Sequence, residues 1–411
     1  MKSLDIDYVR KQFPGLADGY AYMDNAGGSM VLSAVAERVV NYMLNSSVQL
    51  GASYQPSVDA GERVMQARHS VMQLINAEHP EEVIMGGSTT HLLQILCRAI
   101  APSIVAGDEI IVTNCDHEAN IGPWVNLCES RGATLRVWQV NQDSCELELD
   151  DLQVLLNDKT RYVAMTHTSN ILGSINPVAE VARRVHAVGA KLCVDAVAYA
   201  PHRLVDVQAS GADFYVYSFY KTFGPHFAVL WGRRYLLLEL PSLNHFFIGQ
   251  EVVPYKLQPG NVNYELSFGC IGITDYLLDI STRLDVQGSE RQCMQAAFDA
   301  FEVQEDLLAE RLLAFLRQRE GVRIIGKAHT RDRVPTISFV VDGVQSEAIV
   351  RRVDEHRIGI RFGDFYARRL IEALGLDRFG GVVRVSLAHY NTLEEVDRLI
   401  SALDQAITAL R

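Results

Sequence analysis

Two residues that could do chemistry together, Asp195 and Lys221, each follow a strand-like segment of the chain. Asp195 comes directly after the apolar segment Lys191–Val194, and a carboxylate there is costly to bury unless a cation or a strong donor satisfies it. Lys221 stands among aromatic residues, where its amine either reaches solvent or has the lowered pKa that a Schiff-base lysine needs. Taken alone, a lysine in such a place is more often solvated, so neither residue by itself indicates a function.

A third element, upstream of both, could bind an anion. The segment Gly86–Thr90 follows the strand-like Glu82–Met85 and precedes the helical pattern His91–Arg98. Free backbone N–H groups at a helix start, with the hydroxyls of Ser88 and Thr89 beside them, can hold a phosphate. A plain Ser/Thr helix cap explains this segment as well when it is taken alone.

Together these three features match what pyridoxal 5′-phosphate requires of a protein. An acid holds the pyridinium N–H, a lysine forms the Schiff base, and a helix start binds the phosphate. The sequence therefore predicts this cofactor, held by Asp195, Lys221 and the Ser88–Thr89 segment.

Strand-like and helix-like segments alternate between residues 57 and 300 and would position these residues. Short apolar runs predict seven strands at Glu82–Met85, Glu109–Val112, Thr134–Trp138, Arg161–Met165, Lys191–Val194, Asp213–Tyr217 and Ala228–Trp231. Between two of these strands, Val178–Val188 has the apolar spacing of a helix and is followed by the helix-terminating Gly189. This alternation predicts an α/β fold with a largely parallel sheet, which binds ligands at the carboxyl ends of its strands.

The pattern changes near residue 290. A helix-period stretch, Met294–Arg317, is followed by the strand-like Val334–Val341 and by helical patterns at Glu347–His356 and Leu393–Leu410. This order predicts a smaller α+β C-terminal domain. We expect an N-terminal segment (1–20) that packs with the small domain, a large cofactor-binding domain (21–285) and a small domain (286–411).

The composition excludes several classes of protein. The 411 residues include 38 Lys or Arg and 50 Asp or Glu, a net charge of −12, which argues against a nucleic-acid or anionic-membrane partner. No apolar run is long enough to cross a membrane, and the first residues do not resemble a secretory signal, so we expect a cytoplasmic protein. The seven cysteines are scattered and predict neither a disulfide framework nor a metal site.

Motifs along nearly the whole chain resemble one enzyme family. They are Tyr22–Gly27, Gly87–Thr89, Asp116–Asn120 with Pro123-Trp124, Thr168–Gly173, Val194–Ala196, Asp213–Tyr215 followed by Ser218 and Lys221, Pro259-Gly260, and Val383–Leu387 with Tyr390–Thr392. In this order they resemble the cysteine desulfurase-like branch of the class V aminotransferases, pyridoxal-phosphate enzymes of fold type I. The resemblance implies that fold, a small amino-acid substrate and a homodimer.

The resemblance also implies a role for individual residues. It makes Lys221 and His117 catalytic, with His117 over the face of the cofactor ring. It implies that the cofactor is held by Ser88, Thr89, Asn170, Asp195, Ser218, Tyr220 and, from the partner subunit, Asn261. It implies that the substrate is bound by Arg384, whose planar fork suits a carboxylate, and by Arg361, Tyr366 and Asn25.

The chain departs from the family pattern at four positions. In the desulfurases a loop after an Arg-x-Gly sequence carries the cysteine that takes up sulfur, and Tyr366 stands in that cysteine's place within Ile360–Ala367. A persulfide mechanism has therefore lost its nucleophile. Ala198 stands where the family has a polar residue, and Asn261 stands where it has a threonine. Tyr220 stands where the family has a histidine, and its phenol can still donate a hydrogen bond to phosphate.

These observations favour a C–S lyase. With Lys221 and Asp195 present, β-elimination across a Cα–Cβ–S unit remains available, so we expect cleavage of cysteine or a cysteine derivative. The alternatives are an amino-acid aminotransferase or epimerase, a cysteine desulfurase that uses a different thiol, and a non-catalytic protein that binds pyridoxal phosphate.

Overall fold

A computed structural model describes residues 3–411 of the chain. The strands are β1 (Ala21–Tyr22), β2 (Val83–Gly86), β3 (Glu109–Thr113), β4 (Thr134–Trp138), β5 (Thr160–Thr166), β6 (Lys191–Asp195), β7 (Phe214–Ser218), β8 (Ala228–Gly232), β9 (Val322–Ile325), β10 (Thr336–Val341), β11 (Ile358–Gly359), β12 (Arg361–Gly363) and β13 (Val382–Ser386). The α-helices are α1 (Ile6–Lys11), α2 (Ser33–Asn45), α3 (Gln55–Ile75), α4 (Thr89–Ile100), α5 (Gly122–Arg131), α6 (Leu149–Leu155), α7 (Val178–Ala187), α8 (Val207–Ser210), α9 (Arg234–Glu239), α10 (Tyr264–Gly269), α11 (Ile271–Arg283), α12 (Glu290–Gln318), α13 (Ser346–Asp354), α14 (Arg368–Ala373) and α15 (Leu393–Leu410). Within the described part of the chain, no helix combines the length and apolarity needed to cross a membrane.

The seven predicted strands form one sheet, in the order β2-β8-β7-β6-β5-β3-β4. The strands are parallel except for β8, which is antiparallel to both of its neighbours. Every residue of β3, β7 and β8 is buried, as expected of strands covered on both faces. The predicted α/β fold class, with a mostly parallel seven-stranded sheet, is therefore confirmed.

A second sheet, antiparallel and four-stranded, has the order β12-β13-β10-β9. Its buried face packs with apolar residues of α12, α13 and α15 in a separate core. The predicted segments match closely, since α15 has the predicted bounds and β10 lies inside the predicted strand 334–341. The predicted boundaries at residues 20 and 285 stay predictions.

The N-terminal region joins elements that are far apart in the sequence. Strand β1 pairs in parallel with β11, and Asp24 forms a bridge with Ser386 at the end of β13. The side chain of Arg10 contacts Glu395 at 3.0 Å. The residues after β1 are thus held next to the end of β13.

Candidate active site

A cleft of about 520 Å³ opens at the carboxyl ends of β2, β6 and β7. It is lined by Ser88, Thr89, Thr90, His117, Ala119, Thr166, Thr168, Asn170, Asp195, Val197, Ala198, Ser218, Tyr220 and Lys221. Eight of the site residues predicted from the sequence therefore meet in one cleft.

Asp195 and Lys221 are both buried in this cleft. Asp195 is the last residue of β6, and its Oδ1 accepts a hydrogen bond from the Val197 N–H at 2.9 Å. Lys221 ends a short 3₁₀ turn, Phe219–Lys221, directly after β7. Burial, followed by the charge of Arg384, lowers the pKa of Lys221 to about 8. Burial raises the pKa of Asp195 to about 6.

The segment predicted to bind phosphate starts a helix that faces the same cleft. Ser88 is the N-cap of α4, and its hydroxyl accepts a hydrogen bond from the His91 N–H at 3.2 Å. The Thr89 and Ser218 hydroxyl oxygens lie 2.8 Å apart. The Ser88 cap uses only one N–H group of the first turn of α4, and the other N–H groups remain available to an anion. The helix cap and an anion site are therefore compatible.

His117 precedes the short 3₁₀ turn Glu118–Asn120. Its Nδ1 accepts a hydrogen bond from the Ala119 N–H at 3.1 Å, which assigns the ring proton to Nε2 in the neutral form. Burial, together with the charges of Lys221 and Arg384, lowers the pKa of His117 to about 4. The imidazole is therefore neutral near pH 7.

Arg384 lies behind the cleft and is 1% exposed. Its guanidinium donates to the Asn170 carbonyl oxygen at 3.2 Å and to Asp24 Oδ1 at 2.8 Å. One face of the guanidinium covers the Phe365 ring, 3.7 Å from the centroid. Three partners therefore fix the predicted substrate-binding arginine, and Asp24 gives it a counter-ion.

Several buried polar atoms around the cleft have no protein partner. They are Asn25 Nδ2, Thr168 Oγ1, Asn170 Oδ1 and Arg384 Nε. An unpaired buried polar atom costs about 1–3 kcal/mol, so such groups in a native site require partners from elsewhere. Donors and acceptors of this kind suit two ligands bound together. One is a cofactor that carries a phosphate, a ring hydroxyl and a ring nitrogen, and the other is a zwitterionic amino acid.

Four other predicted site residues do not belong to the lining of the cleft. The Tyr366 ring is 71% exposed, with its centroid 5.2 Å from that of His117. Arg361, on β12, lies 3.6 Å from the other carboxylate oxygen of Asp24. Asn25 is buried and accepts a hydrogen bond from the Tyr390 hydroxyl. Asn261 is exposed and does not belong to the lining of the cleft within residues 3–411.

Sequence reasoning assigned no role to Asp24 or Asp116, although both belong to quoted motifs. Asp116 is buried and accepts hydrogen bonds from Asn120 Nδ2 at 2.7 Å, from the Thr166 N–H at 3.0 Å and from the Thr113 hydroxyl. Burial raises the pKa of Asp116 to about 8. These bonds tie the turn that follows His117 to the sheet. Membership in the two motifs was the only available signal.

This arrangement, a buried lysine and a buried acid after neighbouring strands and a helix start across the cleft, defines a fold type I pyridoxal-phosphate enzyme. The sequence model of the family Aminotransferase class-V matches residues 21–256 and 290–399. The chain belongs to this family, in its cysteine desulfurase-like branch. Enzymes of this family depend on pyridoxal phosphate, so the predicted family and cofactor are confirmed.

Three similar proteins illustrate the relationship. The aminotransferase-like protein FGM3 of Gibberella zeae is 40% identical over 98% of this chain and 99% of its own length. The cysteine desulfurase-like protein ustD of Aspergillus flavus is 33% identical over 98% of this chain and 91% of its own length. The crystal structure of the cysteine desulfurase CsdA from Escherichia coli covers both chains fully, with a TM-score of 0.86 and 27% identity.

Proposed function

We propose that this chain is a C–S lyase that cleaves the Cβ–S bond of a cysteine derivative. A substrate R–S–CH₂–CH(NH₃⁺)–COO⁻ and one water give pyruvate, ammonium and the thiol R–SH. The observation that carries the proposal is the absence of a thiol from the cleft lining within residues 3–411. The residue in the place of the family's loop cysteine, Tyr366, contacts the ring of His117 at the edge of that lining.

The seven cysteines argue against a desulfurase that uses a different thiol. Five are buried, and the two that are partly exposed, Cys145 and Cys293, do not line the cleft. Burial raises the pKa of Cys115 to about 12, and Cys115 is the cysteine next to Asp116. A thiol in this state is a poor nucleophile near pH 7.

Pyridoxal phosphate, when bound, supplies an electron sink conjugated to the substrate α-carbon. In this proposal Ser88, Thr89, Ser218 and Tyr220 would bind the phosphate, Asp195 the ring nitrogen and Asn170 the ring hydroxyl, while His117 would stack on the ring and Lys221 would bond to the aldehyde carbon. The proposal is supported by the fact that all eight of these residues line one cleft. Asp195 is buried and faces the charge of Lys221 across the cleft, which suits a carboxylate that must keep a ring nitrogen protonated.

Three steps of the proposed reaction need residues of this chain: removal of a proton, binding of the substrate carboxylate and protonation of the departing sulfur. Lys221, with its lowered pKa, removes the proton from the substrate α-carbon. Arg384 holds the substrate carboxylate by charge-assisted hydrogen bonds. The departing sulfur needs a proton, which the Tyr366 hydroxyl or the Nε2–H of His117 can donate from the mouth of the cleft.

We also propose that the chain is a cytoplasmic homodimer and that Asn261 of each chain completes the partner's site. Six large apolar side chains of α2, α3 and the residue before α3 are exposed: Val40, Met43, Leu44, Tyr54, Val58 and Met65. Because contiguous exposed apolar surface marks protein interfaces, these residues on two consecutive helices support an interface there. The free state of all seven cysteines supports the cytoplasmic assignment.

Product analysis tests the proposed reaction. The protein loaded with cofactor is incubated with cysteine, cystine and S-substituted cysteines, and pyruvate, alanine and sulfide are assayed separately. We expect pyruvate to dominate, most of all with cystine and S-substituted substrates, because their sulfur leaves more readily than that of a free thiol.

Other products would point elsewhere. Alanine with protein-bound persulfide would contradict the proposal and favour a desulfurase. Amino transfer that depends on a keto acid, or loss of optical activity of an amino acid, would favour an aminotransferase or an epimerase. Cofactor binding with no turnover of any of these compounds would favour a non-catalytic protein.

A further inference from the structure

We propose that Glu118 and Arg369 form a latch that holds residues 360–369 over the cleft and so places Tyr366 beside His117. This segment, called the Tyr366 loop below, runs from β12 through Tyr366 into the first turn of α14. Both are positioning residues in this proposal, since they act through Tyr366. The expected effect of the latch on turnover rests on the proposed function, whereas its expected effect on the mobility of the loop does not.

The latch is a paired contact between the first turn of α14 and the 3₁₀ turn Glu118–Asn120. Arg369 Nε lies 3.0 Å from Glu118 Oε2, and Arg369 Nη2 lies 3.1 Å from Glu118 Oε1. Two parallel charge-assisted hydrogen bonds of this kind fix orientation as well as distance. Because Glu118 directly follows His117 in the chain, the pair connects the Tyr366 loop to the histidine that faces the cleft.

Two further hydrogen bonds fix the backbone of the same loop. The Glu118 N–H donates to the Tyr366 carbonyl oxygen at 2.7 Å. The Asn170 side-chain amide donates to the Phe365 carbonyl oxygen at 3.0 Å. Asn170 and His117 both line the cleft, so the loop is fastened to the residues that would contact the cofactor.

The backbone of the loop is strained, which explains why it needs such fastening. Phe365 and Tyr366 have φ angles of 51° and 60°, in the left-handed region that residues other than glycine seldom adopt. A residue held in this region destabilises the fold locally and stays there only where its surroundings impose it. Removing the Arg369 side chain therefore favours a loop that relaxes away from the cleft.

Tyr366 depends on these backbone contacts for its place. Its side chain is largely exposed, and its ring contacts the imidazole of His117 at an interplanar angle of 36°. A relaxed loop would separate the phenol from His117 and from the part of the substrate beyond Cβ. The latch is thus expected to affect turnover of substrates that fill this space more than the stability of the fold.

The neighbouring Arg368 provides a matched control. It is 59% exposed, against 42% for Arg369, and its partners Asp364, Glu372 and Asp377 all lie within residues 364–377, so none of them connects the loop to the turn at Glu118. Its loss removes the same charge from the same helix without releasing Glu118.

The test compares the variants R369A, R368A and the charge-reversed pair E118R/R369E with the wild-type full chain loaded with cofactor. Amide hydrogen exchange is measured on the peptide covering residues 360–369, and kcat and KM are measured with S-substituted cysteines. We expect R369A to speed exchange of this peptide and to lower kcat/KM about twofold to fivefold, the range that an exposed ion pair supplies. R368A should leave both unchanged, and the reversed pair should recover both.

Each outcome decides one question. Exchange in R369A that equals the wild type, or equal effects of R369A and R368A, overturns the latch. A reversed pair no better than R369A alone also overturns it, because charge complementarity is then not the cause. An absence of lyase turnover in the wild type overturns the proposed function instead, and the exchange measurement still decides on the latch.

Discussion

Asp24 and Arg384 stand 360 residues apart in the sequence and form a salt bridge of 2.8 Å behind the cleft. The arginine is buried, and the second oxygen of the same carboxylate lies 3.6 Å from Arg361. The chain thus supplies its own carboxylate to the two arginines that the family resemblance assigns to the substrate. In the absence of substrate, Asp24 balances a positive charge that would be costly to bury alone.

Replacing Asp24 by alanine should lower the free energy of unfolding by about 3 kcal/mol, because it leaves the charge of Arg384 buried without a counter-ion. Urea unfolding of the protein without cofactor measures the change. As a control, Glu347→Ala removes an exposed partner of Arg351 and should change stability by no more than about 0.5 kcal/mol. Equal effects of the two variants would show that Arg384 does not depend on Asp24.

Lys221→Met should stabilise the protein without cofactor, and the gain should depend on pH. The pKa of Lys221 is lowered to about 8 in the folded protein from its ordinary value of 10.5. Between these two pH values the unfolded chain therefore binds more protons at this lysine than the folded chain does. The cost of burying this ammonium is therefore full below pH 8 and disappears as the pH rises toward 10.5. We expect a gain of about 1–3 kcal/mol at pH 7 that shrinks by pH 10. Urea unfolding at both pH values checks this, and a gain that does not change with pH would contradict it.

Lys221→Ala should abolish the visible absorption band of the bound cofactor, because the amine that links to it is gone. An absorption spectrum of the purified protein checks this. Lys191→Ala, at the opposite end of the strand that carries Asp195, should leave the band in place. An unchanged band in Lys221→Ala would remove this lysine from its assigned role.

Tyr366→Cys should move the reaction toward sulfur transfer, because it places a thiol beside His117. We expect alanine and protein-bound persulfide to rise relative to pyruvate when cysteine is the substrate, as measured by product analysis and by alkylation of persulfides. Tyr235→Cys, at a tyrosine that is 52% exposed and does not line the cleft, is the control and should not change the ratio. If both variants give the wild-type ratio, residue 366 does not select the product.

Leu44→Glu should convert the proposed dimer to a monomer. Leu44 is 77% exposed within the apolar group on α2 and α3, and a charge there would have to be desolvated in an interface. Light scattering at low concentration with cofactor bound measures the mass. Val154→Glu, at an apolar residue of α6 that is 86% exposed, is the control and should stay dimeric. A wild-type protein that is an active monomer would contradict the shared site.

The sequence by itself determined the elements of the large sheet and the chemistry at its strand ends. Helical and strand periodicities depend on neighbouring residues, so all seven strands of the sheet and helix α15 follow from the local pattern. Asp195 is the last residue of β6, and Lys221 ends the short turn after β7. Because β6 and β7 are parallel, both residues lie at the same edge of the sheet. This is why eight predicted residues meet in a single cleft.

Only the tertiary structure decided which distant residues complete that cleft. Two contacts, Asp24 with Arg384 and Glu118 with Arg369, join segments hundreds of residues apart. The strained backbone at Tyr366 depends on contacts of the same kind. No local pattern encodes them, because their geometry depends on how the end of β13 and the loop after β12 pack against the large sheet. The same packing explains why two neighbouring arginines differ. Arg369 forms an ion pair with Glu118, whereas Arg368 pairs with Glu372.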